Sequence, residues 1–314
     1  FPTRRSSDLG GVAHRVLVEN LWRGESAMNA QMREFSQGLD RLAKKHGLGS
    51  LGEAMGKASG SLGRSSQQRI PVRLGSIREI ILGQAMDLVA MDPATRAKVE
   101  AGNPISFGTQ PNQKVSISAD DFKAIEDALT PGQRAMIRDV KRMIESDLQP
   151  DLFAALRQIK GWEPERVLDY WPSSRNRRLT EGRTDAYAGW SGVVDGHLED
   201  AGFTQNRTGG DAPFMVRDFF NVAIDHARST AAIIHLAEPI RSAEMVMLDP
   251  DTRSAMAAKF GDDVPKRVEE MLREISSLGR YQPQSTAGRA VLGLTRNVSR
   301  ALTSINYRSW ARQL

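Results

Sequence analysis

The chain has 314 residues, with 43 lysines and arginines against 38 aspartates and glutamates, a net charge of +5. That length suits one large or two smaller domains, and the mild positive charge permits nucleic acid or an anionic membrane as partner without requiring either. There is no cysteine, which excludes a disulfide scaffold, thiolate zinc sites and cysteine nucleophiles and fits a reducing compartment. No apolar run approaches the roughly 18 residues of a membrane span.

Residues 1–9, FPTRRSSDL, resemble the translation of a common sequencing adapter. They have no apolar core, so they are not a signal peptide, and they are set aside as artefactual. A metagenomic reading frame that has lost its true start is expected. Residues 10–46 are expected to be N-terminal helices. Met28, Met32, Phe35, Leu39, Leu42 and His46 step by four and three. That seam is too short for a coiled coil, so it predicts a helix packed on a neighbour within the chain, stopped by Gly47. Residues 47–70 are rich in Gly and Ser, with Gly52, Gly56 and Gly60 recurring every fourth residue. A flexible linker or weak helix is expected there, and with it a domain boundary.

Residues 75–101 read as two helices. The second starts at Asp92-Pro93, with the aspartate as cap and the proline in the first turn. Asp249-Pro250 repeats the arrangement, which convergent capping explains. Ile105 and Phe107, then Val115 and Ile117, alternate about Pro111-Asn112 and predict one small hairpin. Ser118 with Asp121, and Thr130 with Gln133, are capping boxes that start the next two helices. Pro150 opens a further helix that Gly161 closes.

Residues 171–213 form an irregular region rich in arginine and aromatic residues, with a helix expected near 185–201. From 214 to 248 a wide apolar face recurs at helical spacing, through Val216, Phe219, Phe220, Ala223, Ala227, Ala231 and Ile234. Pro239 is expected to end or kink this helix, since it lacks an amide hydrogen and clashes with the preceding turn. Two more helices follow from Pro250 and Pro265, and an amphipathic one at 290–314. The resulting expectation is an all-α, irregular multi-helix bundle with at most one small β-hairpin near 103–118. Its subdomains would span 71–170 and 214–314, the latter built on the 214–248 helix.

Several constellations could carry chemistry. His226 and His235 lie nine residues apart, so on a straight helix they face opposite ways and cannot share a metal. Asp218 and Asp225, seven apart, would share a helical face. They could act as an acid–base pair in a cleft, or join Arg217, Arg228 and Arg241 in an ion-pair network, which is the expected role. Neither a Gly-x-Ser-x-Gly elbow nor a Gly-x-x-x-x-Gly-Lys phosphate loop is present. No catalytic residue, cofactor or metal site is expected. The strongest local signal is Tyr170, Trp171, Arg175, Arg177, Arg178 and Arg183. Aromatics can stack on bases while arginines grip phosphates, as proteins that hold single strands do. The plainer alternative is a loop whose aromatics plug the core. Arg289, Arg296, Arg300, Arg308 and Arg312 would let the last helix lie on a membrane surface or pack with its arginines in water.

Gly161-Trp162-Glu163-Pro164-Glu165-Arg166-Val167, followed by Tyr170-Trp171-Pro172 and Arg175, resembles a recurrent segment of large polyvalent proteins of phages and mobile elements. The order of the flanking motifs is similar as well. An Asp-Pro-x-Thr-Arg start at Asp92 and a Leu-Thr-Pro-Gly-Gln start at Leu129 precede it. Arg217-Asp218-Phe219, an Asp-Pro helix ending near Gly261, and Ile305-Asn306 with Gln313 follow. The resemblance covers about 75–314. It implies a helical segment of a long chain packaged in the virion and delivered with the DNA, and it carries over no catalytic residue. On that basis the expected function is a non-catalytic structural or interaction segment acting in virion assembly or delivery. The virion interior or host cytoplasm would be its location, and other segments of the parent chain or virion proteins its partners. A nucleic-acid-binding module using the 170–190 loop and a membrane-associated conduit are the alternatives.

Overall fold

The computed structural model describes residues 15–59, 67–107, 110–161, 169–175 and 213–276. The helices expected at 185–201 and 290–314, and Arg177, Arg178 and Arg183, lie outside the described residues. The chain divides into two compact units. Of the described residues, one unit holds 28–59, 67–107, 110–161, 169–175 and 213–234, and the other holds 15–27 and 235–276.

The first unit is mainly helical. Helix α1 (Asn20–Lys45) follows a π-helical turn at Arg15–Glu19. Phe35 and Leu39 from its seam are buried in the core, and Met32 and Leu42 pack against it. The seam therefore binds a neighbour within the chain, and Gly47 at φ 73 ends the helix. Helix α2 (Leu51–Ser59) then places Ala54 and Ala58 in the core. This corrects the linker reading for those residues. Glycine and alanine at every second or fourth position let the helix lie close to its neighbours instead of keeping it mobile.

Strands β1 (Arg69–Leu74) and β2 (Ile77–Ile81) form an antiparallel hairpin. The two helices expected in 75–101 are present at Leu82–Ala90 and Pro93–Glu100, and this hairpin precedes them as an addition to the one expected. Gly75, at φ 58, supplies the left-handed turn residue that a two-residue hairpin loop needs. The expected hairpin is also present, as β3 (Ile105–Phe107) and β4 (Gln110–Val115). It is extended by β5 (Ser174–Arg175) and β6 (Phe214–Val216) into a four-stranded sheet of order β4-β3-β6-β5, in which β3 and β6 run parallel. Two- and three-residue strands carry too little alternation to be read locally, so this sheet depends on long-range pairing.

Helix α3 (Leu82–Ala90) is the centre of the unit. It touches α2, β1, β2, β6, α5 (Ala119–Ala128) and α6 (Pro131–Met143), and eight of its nine residues are buried. Helix α4 (Pro93–Glu100) follows, with Asp92 as cap: its Oδ1 accepts from the Thr95 amide at 2.9 Å and its Oδ2 from the Thr95 hydroxyl at 2.8 Å. Ser118 and Thr130 cap α5 and α6 through reciprocal boxes, as their sequences predict. Pro150 stands in the first turn of α7 (Gln149–Lys160), as its sequence predicts, and a π-helical stretch at Ile144–Leu148 joins α6 to it. Gly161, at φ 74, closes α7.

Helix α8 (Phe219–Leu248) passes without interruption through Pro239, correcting the expected break. Proline there cannot donate to the His235 carbonyl four residues earlier. A Cβ on Gly24 would lie 2.4 Å from that carbonyl oxygen, so the start of α1 packs tightly against the helix at the point where its ladder lacks a bond. In this second unit, α9 (Pro250–Phe260), capped by Asp249, and α10 (Val264–Ser276) are joined by an Arg253–Glu269 ion pair of 2.5 Å. Among the described residues, no helix is long and apolar enough to cross a membrane.

Gly24→Ala would drive a methyl into the His235 carbonyl. Urea unfolding followed by circular dichroism should show a loss of about 1–3 kcal/mol, the usual cost of overpacking.

Candidate functional site

The most chemically distinctive place in the described residues is built on α3. Asp87 lies in the apolar run ILGQAMDLVAM and is 4% exposed. Burying a carboxylate is expensive unless donors surround it. Its Oδ1 accepts the Trp171 indole N–H at 2.7 Å and its Oδ2 accepts the Arg217 backbone amide at 2.8 Å. These donors belong to two segments far apart in sequence, 169–175 and 213–218.

Asp218 adjoins the second donor. It caps α8: its Oδ1 accepts the Asn221 amide at 3.0 Å, and its carbonyl accepts the Val222 amide. Only 9% of it is exposed. Its Oδ2 has no hydrogen-bond partner and lies against Gly83, where a Cβ would come within 2.0 Å of it. Gly83 and Asp87 are four residues apart on α3, hence on one face, and Asp218 sits over that face.

Two buried carboxyls thus share one corner. Burial is the first cause that pushes Asp87 up, to about 7, against the opposing pull of the Arg217 amide and the Trp171 indole; the negative charge of Asp218 adds to the rise. Burial also raises Asp218, while the Asn221 and Phe220 amides and the nearby Arg217 charge pull the other way. The guanidinium of Arg217 is engaged elsewhere, paired with Asp225 at 2.5 Å. The expected network of Asp218 and Asp225 is therefore split: Asp225 has its arginine, and Asp218 faces Asp87 instead. Sequence reasoning missed Asp87. The available signal was a lone acid inside an otherwise apolar helix, which demands partners that sequence cannot name.

The 169–171 segment is pinned at every residue. Lys141, itself buried, donates to the Ala90 carbonyl at 2.9 Å and pairs with Asp169 at 2.7 Å. Asp169 takes a left-handed φ of 54. The Tyr170 amide donates to Glu145 at 3.1 Å, on the π-helical stretch. Trp171 stacks on Phe219, with centroids 4.8 Å apart and planes 7° from parallel. Tyr170 and Trp171 are 2% and 0% exposed, so of the two readings of these aromatics the plainer one holds: they plug the core. Arg175 lies on β5.

His226, about two turns into α8, meets the Tyr170 ring at 5.6 Å. Burial pulls it down to about 3, so it is neutral in the folded protein. Among the described residues, no group of three or more histidines or carboxylates is placed to hold a metal ion.

In comparison with known proteins, no family model, no curated protein and no solved structure matches the chain.

Burial of His226 makes stability depend on pH with a definite sign. The unfolded chain takes up a proton below about 6.5 that the folded protein refuses until about 3. This contribution is full above 6.5 and is lost as pH falls. Replacing the ring removes it, so His226→Gln should gain on the wild type by about tenfold in folding constant per pH unit between 6.5 and 4, read from urea midpoints. The carboxyl pair has the opposite sign, with stability full below the ordinary carboxylate range and lost as pH rises towards 7.

Proposed function

We propose that the chain is a non-catalytic helical structural or interaction segment of a large phage-encoded polyvalent protein, acting in virion assembly or in delivery with the genome. The observation that carries the non-catalytic reading is the use made of the most reactive-looking groups. Both Asp87 oxygens are occupied by protein donors, and Tyr170 and Trp171 are buried. Their chemistry is spent on fastening chain segments to α3. The phage reading is supported by the order of short motifs along 75–314 described above; among the described residues, Asp92, Thr130 and Asp249 each cap a helix.

The neighbouring DNA tests the phage reading. Portal, tail or terminase genes beside a much longer open reading frame are expected, and a metabolic operon would overturn it. For the alternative of nucleic-acid binding through Arg175, Arg177, Arg178 and Arg183, the measurement is anisotropy of labelled single-stranded DNA and RNA on the full chain across a salt series. With Tyr170 and Trp171 unavailable for stacking, no saturable binding is expected at about 50 mM salt. Tight binding whose logarithm falls steeply with log salt would replace the structural reading with the nucleic-acid one.

A further inference from the structure

Two buried carboxyls beside one another cannot both be charged without a cation, and among the described residues neither Asp87 nor Asp218 has an ion pair. Arg217 is the nearest positive charge acting on them, and its guanidinium is turned to Asp225. Lys57, on the adjoining α2, is exposed. Burial raises both acids, and part of the rise on Asp87 comes from a charge on Asp218; a proton on Asp218 removes that part, so hydrogen-bond chemistry decides which of the two holds it. A carboxylate wants donors on both oxygens, whereas a neutral acid needs an acceptor for its O–H. Asp87 receives an N–H on each oxygen. Asp218 receives amides on Oδ1 and nothing on Oδ2.

Beyond Oδ2 lies an acceptor. The Ala58 carbonyl, in the last turn of α2, crowds the same side of Gly83: a Cβ there would lie 2.9 Å from the Ala58 oxygen and 2.0 Å from Asp218 Oδ2. Only a glycine lets the carboxyl and the carbonyl converge over α3. We infer that Asp218 is held as the neutral acid, its Oδ2 hydroxyl directed at the Ala58 carbonyl, while Asp87 is the ionised member of the pair. The proton then fastens the start of α8 to the end of α2, and its loss as pH rises loosens that joint. The device is a proton-dependent latch between two helix ends, independent of the phage reading.

The two asparagine variants should behave oppositely. Asparagine reproduces a neutral acid: in Asp218→Asn the amide oxygen still caps α8 and the amide N–H₂ replaces the hydroxyl. In Asp87→Asn one of the two donors faces an N–H₂ and loses its acceptor. Unfolding of the full chain in urea would be followed at about pH 5 and about pH 8. The Asp218→Asn unfolding constant should stay within about threefold of wild type at the lower pH and fall about tenfold below it at the higher. Asp87→Asn should raise it about tenfold or more at both. Difference infrared spectra at neutral pH give a second reading that needs no unfolding. The carbonyl stretch of a protonated carboxylic acid should be present in wild type and absent from Asp218→Asn. Failure of Asp218→Asn to fold, losses equal to those of Asp87→Asn, or no acid band in the wild type would each overturn the assignment.

Discussion

A helix surrounded on every side is normally apolar all round. Helix α3 meets that condition except at Gln84, whose side chain accepts the Ile81 amide at the helix's own start, and at Asp87. The cost of burying that carboxylate must be offset locally, and the only means found in the described residues are the indole of Trp171 and the amide of Arg217. Satisfying one charge therefore determines where two remote segments of chain lie. One brings Tyr170 and Trp171 into the core; the other carries β6 into the sheet and starts α8 beside α3. The sheet, the stacking of Trp171 on Phe219 and the cap of α8 all follow from the same contact.

This explains why the neighbourhood is so polar for a core. Lys141, Glu145 and Asp87 each hold one residue of the 169–171 segment, and Asp169 accepts a left-handed backbone in return for its pairing with Lys141. Removing one partner from such a set leaves another buried group unsatisfied, which costs more than the bond itself was worth. The segment is thus specified by polar bonds as well as by the area of its rings. A corner of this kind resembles a catalytic site in its ingredients, with paired acids, a neutral histidine and aromatic walls. It differs in that the oxygens of Asp87 and Asp218 are bound by the protein's own N–H groups, save Asp218 Oδ2.

The two aspartate-proline caps show how the same local code serves different ends. Asp92 and Asp249 each accept from the amide and hydroxyl of the threonine three residues on. Asp92 is fully buried and Asp249 lies on the exposed side of its helix start. Capping needs only neighbours in sequence, so it recurs without any common tertiary role, as the shortness of the shared motif suggested.

What the chain's own residues determined was everything governed by contacts a few positions apart. Helix starts at Asp92, Ser118, Thr130 and Asp249, stops at Gly47 and Gly161, the buried face of α1 and the 105–115 hairpin were legible because caps, turns and periodicity act within one or two turns. The β1–β2 hairpin carries a local signal too, in the alternation of Arg69–Leu74 and the Gly75-Ser76 turn, weaker than the helical pattern that follows it. Tertiary structure alone decided the rest. Whether Tyr170 and Trp171 faced solvent or core depended on an acceptor 84 residues away. Helix α8 runs on through Pro239 with Gly24 packed against the His235 carbonyl, and the neighbour of Asp218 proved to be an acid on α3 rather than the arginines nearby. Each turned on burial, and burial is a property of the assembled unit that no short stretch of chain encodes.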